Sequence, residues 1–136
     1  MDFMDTNVII RYATQDDPVQ SPQALAFFRA LERGERQTTT CEGVLVEAVQ
    51  VLESPRAYAF PRPDIRDTLH VLISLRGFRL PNKAVYTRAL DLYATTTGLD
   101  FVDALNVAHM ERLGISTIVS FDRDYDRFPK INREEP

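Results

Sequence analysis

The chain has 136 residues, 44% hydrophobic and 26% charged, enough for one domain (1–136) with a real core and typical of a soluble globular protein. No apolar run reaches the roughly 18 residues a membrane span needs, and the first residues lack the basic and long apolar regions of a secretory signal. The single cysteine, Cys41, excludes an intramolecular disulfide, so a cytoplasmic protein is the expectation. A net charge of −4, from 20 acidic and 16 basic residues, argues against a simple basic surface for nucleic acid, unless acidic groups gather around cations. Of the 16 basic residues 14 are Arg, which suits bidentate phosphate contacts but equally follows from GC-rich coding.

In chain order, "FMDTNVII" predicts a first strand followed by a short helix, and "QDDPVQSP" a turn. "ALAFFRALERGE" places Ala24, Leu25, Phe28 and Leu31 at helical spacing, with Gly34 as the stop. "RQTTT" reads as a short second strand and "EGVLVEAVQVLES" as an apolar helix ended by Pro55. "PRAYAFPRPD" is a proline-bearing loop before the helix "DIRDTLHVLISLRG", and "FRLP" a third short strand. "NKAVYTRALDLYATTTG" and "LDFVDALNVAHMERLG" are further helices, "ISTIVS" a buried β-branched strand, and "FDRDYDRFPKI" holds a closing turn and a last short strand. Short strands alternating with helices predict an α/β fold with a mostly parallel central sheet. Ligands of such sheets collect beyond the carboxyl ends of the strands, where Asp5 and Asp122 both fall.

Four carboxylates do not read as ordinary surface charge. Asp5 and Asp122 have hydrophobic flanks, and burial of Asp5 among Phe3, Met4, Val8 and Ile9 is expected to require a partner. Glu47 is the only charge in "VLVEAVQVL"; Asp103 stands in line with Val107 and Met110. Each has a plainer reading. Asp5 could cap a helix or bond to turn amides, Glu47 could be a rim residue, and Asp122 could cap the turn it begins. Asp100 is the expected cap of its helix, leaving Asp103 for the cleft. Together, four carboxylates within about 5 Å would repel one another by roughly 3 kcal/mol per pair at an effective dielectric near 20, so protons or cations must join them. Oxygen-only ligands favour Mg²⁺ or Mn²⁺. Zinc is disfavoured, because His109 projects about 120° from Asp103 on the same helix and Cys41 has no thiolate partner.

In this order, "DTNVIIRY", "VLVEAVQVL", "DFVDALNVAHM" and "VSFDRDYDRF" resemble the PIN-domain nucleases, above all the VapC-type toxins of toxin–antitoxin pairs. The similarity runs from Asp5 to Phe128. It implies a three-layer α/β/α sandwich with a parallel sheet, usually dimeric, whose acidic quartet binds Mg²⁺ or Mn²⁺ and hydrolyses RNA. Matched motif by motif, the quartet is Asp5, Glu47, Asp103 and Asp122, with Asp5, Asp103 and Asp122 as the metal ligands. Thr6 or Asn7, with Ser120, would orient carboxylates or a water; Asp124 and Asp126 are weaker candidates. Arg11, Arg123 and Arg127 follow the motifs closely and would contact the RNA backbone, unless they are solvated surface charges. The expected partners are a second copy of the chain, through apolar surface on "DIRDTLHVLISLRG", and a cognate antitoxin. A non-catalytic PIN-like module that binds RNA or protein is the alternative. A haloacid-dehalogenase-like phosphatase fits poorly because "DFMD" is not the D-x-D it needs, and a receiver domain because Lys130 is the only late Lys.

Overall fold

In the computed structural model, which describes residues 1–136, strand β1 (Asp2–Phe3) turns almost at once into helix α1 (Thr6–Thr14). Contacts divide the chain into two units, Met1–Lys83 and Ala84–Pro136. The first continues through α2 (Gln20–Glu32), β2 (Thr38–Thr39), α3 (Glu42–Glu53) and α4 (Arg62–Ser74). The expected turn before α2 is built by Asp17, whose Oδ1 accepts from the amides of Val19 and Gln20 at 2.9 and 2.7 Å. Helix α4 begins earlier than its sequence pattern suggests. Pro63 lies in the first turn, where a missing N–H costs no helical bond, so the prolines open the helix rather than only precede it.

β1 pairs in parallel with β2, Asp2 opposite Thr38 and Phe3 opposite Thr39. On its other side β2 meets the expected third strand, which is reduced to a single parallel bridge between Thr38 and Phe78. Thr38 is fully buried, and its hydroxyl donates to the Asp2 carbonyl at 3.1 Å. The Thr40 hydroxyl donates to the Met4 carbonyl at 2.7 Å. These bonds satisfy polar groups that would be costly to bury unpaired. α1 packs on α2 and α3, and α3 on α4. Ile9, Leu31, Ala48, Val49, Leu52, Ile65 and Phe78 form a fully buried core. The apolar face of α4 goes into burial, with Ile65, Leu69, Leu72 and Ile73 at most 2% exposed. Only Val71 remains outside, so this helix does not offer the apolar docking surface expected of it.

Continuing into the second unit are α5 (Lys83–Thr95), α6 (Phe101–Leu113), β3 (Thr117–Val119), a 3-10 turn (Arg123–Arg127) and β4 (Asn132–Glu134). Arg88 of α5 donates to both carboxylate oxygens of Glu111 on α6, at 3.0 and 3.1 Å. Tyr93 and Phe101 meet edge to face at 5.7 Å. α6 ends at Gly114, whose φ of 68° is left-handed and suits glycine. β3 and β4 pair in parallel, Thr117 opposite Asn132 and Val119 opposite Glu134. β3 is not the buried strand expected from "ISTIVS". Ile118 is half-buried, whereas Ile115, Val119 and Phe121 are 50%, 65% and 72% exposed. With two-residue alternation and β4 as its paired neighbour, only every second side chain of β3 finds cover. All the strand pairing is parallel, as the alternation of elements predicts.

Gly77 is the tightest point of the first unit. A Cβ there would lie 2.1 Å from the Arg36 carbonyl oxygen and 2.9 Å from Leu31 Cα, both backbone atoms that cannot swing aside. Gly77→Ala should therefore destabilise the protein by about 2 kcal/mol or more, measured by urea denaturation; a stability equal to wild type would contradict this packing.

Candidate metal centre

Asp5 follows β1 and occupies the N-cap position of α1 with an extended backbone (φ −91°, ψ 163°), yet its side chain makes no capping bond. Contrary to the sequence expectation, Asp5 is exposed. Alternation across the strand end explains this: Met4 and Thr6 turn inward at 2% and 3% exposure, while Phe3 is 65% exposed. The Asp5 carboxylate is thus left available beside the positive end of a helix. Thr6, the first residue of α1, donates its hydroxyl to Glu47 Oε2 of α3 at 3.1 Å. Glu47 lies at the solvent edge of a helix whose next residues, Ala48 and Val49, are fully buried. A cavity of about 540 Å³ in this unit is lined by Asp5, Asn7, Arg11, Phe27 and Arg36, among others. Arg11 is engaged within its own unit, Nε with Gln20 Oε1 at 2.7 Å and a terminal nitrogen with Asp16 at 3.3 Å.

The second unit gathers Asp103, Asp122 and Asp124, whose carboxylate oxygens can all lie within 4.8 Å of one another. Asp103 is half-buried in the first turn of α6, above Val107 and Met110 at 2% and 8% exposure. It is spared capping because Asp100 does that work, accepting from the Val102 amide at 2.7 Å. Asp122 follows β3 and caps the 3-10 turn, its Oδ1 accepting from the Asp124 amide at 2.9 Å. The Ser120 hydroxyl accepts from the Asp122 amide at 3.0 Å, so Ser120 orients that residue through its main chain. Asp124 belongs to the cluster, whereas Asp126 is turned to Arg133, 3.0 Å away. Arg127 donates to the Thr97 carbonyl, which ties it to the loop before α6; Arg123 is exposed.

Two residues here escaped the sequence reading. Tyr125, 3% exposed, donates its hydroxyl to Asp103 Oδ1 at 2.9 Å and accepts from Asn106 Nδ2, also at 2.9 Å. The signals were an aromatic inside the charged run "DRDYD" and an amide three residues beyond Asp103 on the same helix. Burial first, and then the bond to Asp103, push the Tyr125 phenol up to about 12 despite the Asn106 donor. It is therefore a hydrogen-bond donor at any physiological pH. Three carboxylates this close repel by roughly 3 kcal/mol per pair at an effective dielectric near 20. An all-oxygen set of this kind fits a hard divalent cation.

A family model described as PIN domain matches residues 3–131, and the chain belongs to that family. Its fold is the α/β type with parallel strand pairing expected of it. A VapC ribonuclease of Aquifex aeolicus (strain VF5) is 27% identical over 132 residues, covering 96% of this chain and 92% of the relative. Among solved structures, VapC20 of Mycobacterium tuberculosis, a sarcin-ricin loop cleaving toxin, is 18% identical with a TM-score of 0.41, and 95% of each chain is covered.

Burial raises the Asp103 carboxyl above its ordinary 3.8; the Tyr125 bond pulls it down, and the charges of Asp122 and Asp100 push it up again. A carboxyl raised in the folded state favours folding below 3.8 and loses that contribution as pH climbs through the raised value. At pH 7 in EDTA, Asp103→Asn, which keeps an acceptor for Tyr125, should melt higher than wild type. The advantage should shrink as pH falls toward 3.8, and Mn²⁺ should stabilise wild type more than the variant. A variant that melts lower than wild type in EDTA at pH 7 would contradict the crowding.

Proposed function

We propose that this protein is a Mg²⁺- or Mn²⁺-dependent endoribonuclease, the toxin of a toxin–antitoxin pair. The observation that carries the reading is the Asp103, Asp122 and Asp124 cluster in a chain of the PIN family. The VapC ribonuclease similarity along 96% of the chain supports RNA as the substrate. Asp103 and Asp122, with Asp124 beside them, would hold the ion; Asp5 and Glu47, in the first unit, are the other two acidic residues of the family motif. When bound, the ion polarises a phosphate oxygen and lowers the pKa of an attacking water. The chain's own groups supply the rest. Thr6 fixes one Glu47 oxygen, leaving the other to accept; the Asp124 amide and Ser120 hold the residue that carries Asp122. Arg123 is the exposed candidate for a phosphate contact, since Arg11 and Arg127 are engaged with their own neighbours.

Hydrolysis joins the water oxygen to phosphorus and breaks the bond to the 3′ oxygen, which takes the proton. The products are a 5′-phosphate and a 3′-hydroxyl. A cognate antitoxin that sets an Arg among the carboxylates would silence the site, and the family resemblance implies a homodimer through a surface other than α4. No helix is long and apolar enough to cross a membrane.

Cleavage of a mixed tRNA and single-stranded RNA pool in Mg²⁺, Mn²⁺ or EDTA tests the reading. Asp5→Asn, Glu47→Gln, Asp103→Asn and Asp122→Asn should each lower activity by more than about 100-fold, beyond the usual loss for a residue that only supports a ligand. Near-wild-type cutting by Asp5→Asn or Asp103→Asn rejects the assignment, and a 2′,3′-cyclic phosphate product rejects attack by water. A folded, metal-bound wild type that cuts no RNA points instead to a binding module.

A further inference from the structure

We propose that Tyr125 is a positioning residue, one that fixes the Asp103 carboxylate against the turn carrying Asp122 and Asp124. The inference rests on the metal-centre reading above and adds a group outside its acidic quartet. Tyr125 stands in the turn directly after Asp124, yet its hydroxyl reaches 22 residues back to Asp103 Oδ1, 2.9 Å away. One phenol therefore spans the two segments that bring carboxylates to the cluster.

The hydrogen-bond inventory sets the direction of the proton. A phenol has one hydrogen to give, and an amide NH₂ can only donate. Asn106 Nδ2 donates to the Tyr125 oxygen at 2.9 Å, so the phenolic hydrogen goes to Asp103. Donation to one carboxylate oxygen fixes the rotation of that group and leaves the second oxygen for a cation. Groups that orient metal-binding carboxylates act in this way.

A tie between helix and turn that serves folding alone would use the same bond, and metal affinity separates the two roles. Tyr125→Phe keeps the ring, whose residue is 3% exposed, and removes only the hydroxyl. Asn106→Ala changes an exposed residue and removes only the amide that directs the proton. Mn²⁺ alone is titrated, with electron paramagnetic resonance as readout, against wild type, both variants and Asp103→Asn, each checked for folding by circular dichroism. RNA cleavage by the same proteins is resolved into kcat and KM.

Tyr125→Phe should bind Mn²⁺ about 10- to 100-fold more weakly and lose kcat with KM nearly unchanged. Asn106→Ala should shift both in the same direction by less. Wild-type Mn²⁺ affinity in folded Tyr125→Phe, with binding lost in Asp103→Asn, overturns the role of Tyr125 and leaves the metal centre standing. Undiminished binding in Asp103→Asn overturns the metal centre itself. If Tyr125→Phe does not fold, Asn106→Ala decides: weakened binding supports the positioning role and wild-type binding overturns it.

Discussion

Asp103, Asp122 and Asp124 crowd to within 4.8 Å, and the surrounding second unit is arranged to hold like charges together. Solvent screens part of their repulsion, because Asp122 is exposed and Asp103 and Asp124 are only half-buried. Local bonds offset part of that repulsion. The Asp124 amide satisfies one Asp122 oxygen and the Tyr125 hydroxyl one Asp103 oxygen. Arg133 draws Asp126 away and keeps a further negative charge out of the cluster. What remains is an oxygen-only set of the kind that fits a hard cation.

A division of labour among neighbouring acids recurs along the chain. Asp100 caps α6, which leaves Asp103 one turn further on with its oxygens uncommitted to backbone amides. Asp5 has the position of a cap on α1 but makes no capping bond. The helix terminus still favours its charge through the exposed amides. Thr6 bonds instead across to Glu47, linking α1 and α3 by a polar contact at the rim of a core that is otherwise apolar. In both units the carboxylates of interest lie just outside buried side chains, Ile9 and Ala48 in one, Val107 and Ala108 in the other. Core packing thus holds the helices that carry Glu47 and Asp103 and the helix that starts after Asp5, while the charged atoms stay within reach of solvent.

The six helices were legible because an apolar stripe at 3.6-residue spacing is a local property, visible without knowing what covers it. The first three strands in the sheets were legible in position but not in burial, while β4 (Asn132–Glu134) lies beyond "FDRDYDRFPKI", the segment expected to hold it. "ISTIVS" carries the β-branched residues of a covered strand, yet cover depends on which strands flank it, and pairing with β4 leaves Val119 and Phe121 exposed. The expected burial of Asp5 fails for the same reason. Its apolar neighbours in sequence, Met4 and Ile9, are buried at 2% and 0%, but alternation carries Asp5 to the other side.

The sequence by itself determined the order and type of the elements, the capping role of Asp100, and the candidacy of Asp5, Glu47, Asp103 and Asp122. These follow from spacing, charge and motif order along the chain. Tertiary structure alone decided that Asp124 rather than Asp126 joins Asp103 and Asp122, that Arg11 and Arg127 are engaged locally, and that a tyrosine and an asparagine stand behind the cluster. Each of these depends on a side chain meeting a particular partner, across 19 and 22 residues for Tyr125. Periodicity says which face a residue occupies, and only packing says what stands opposite.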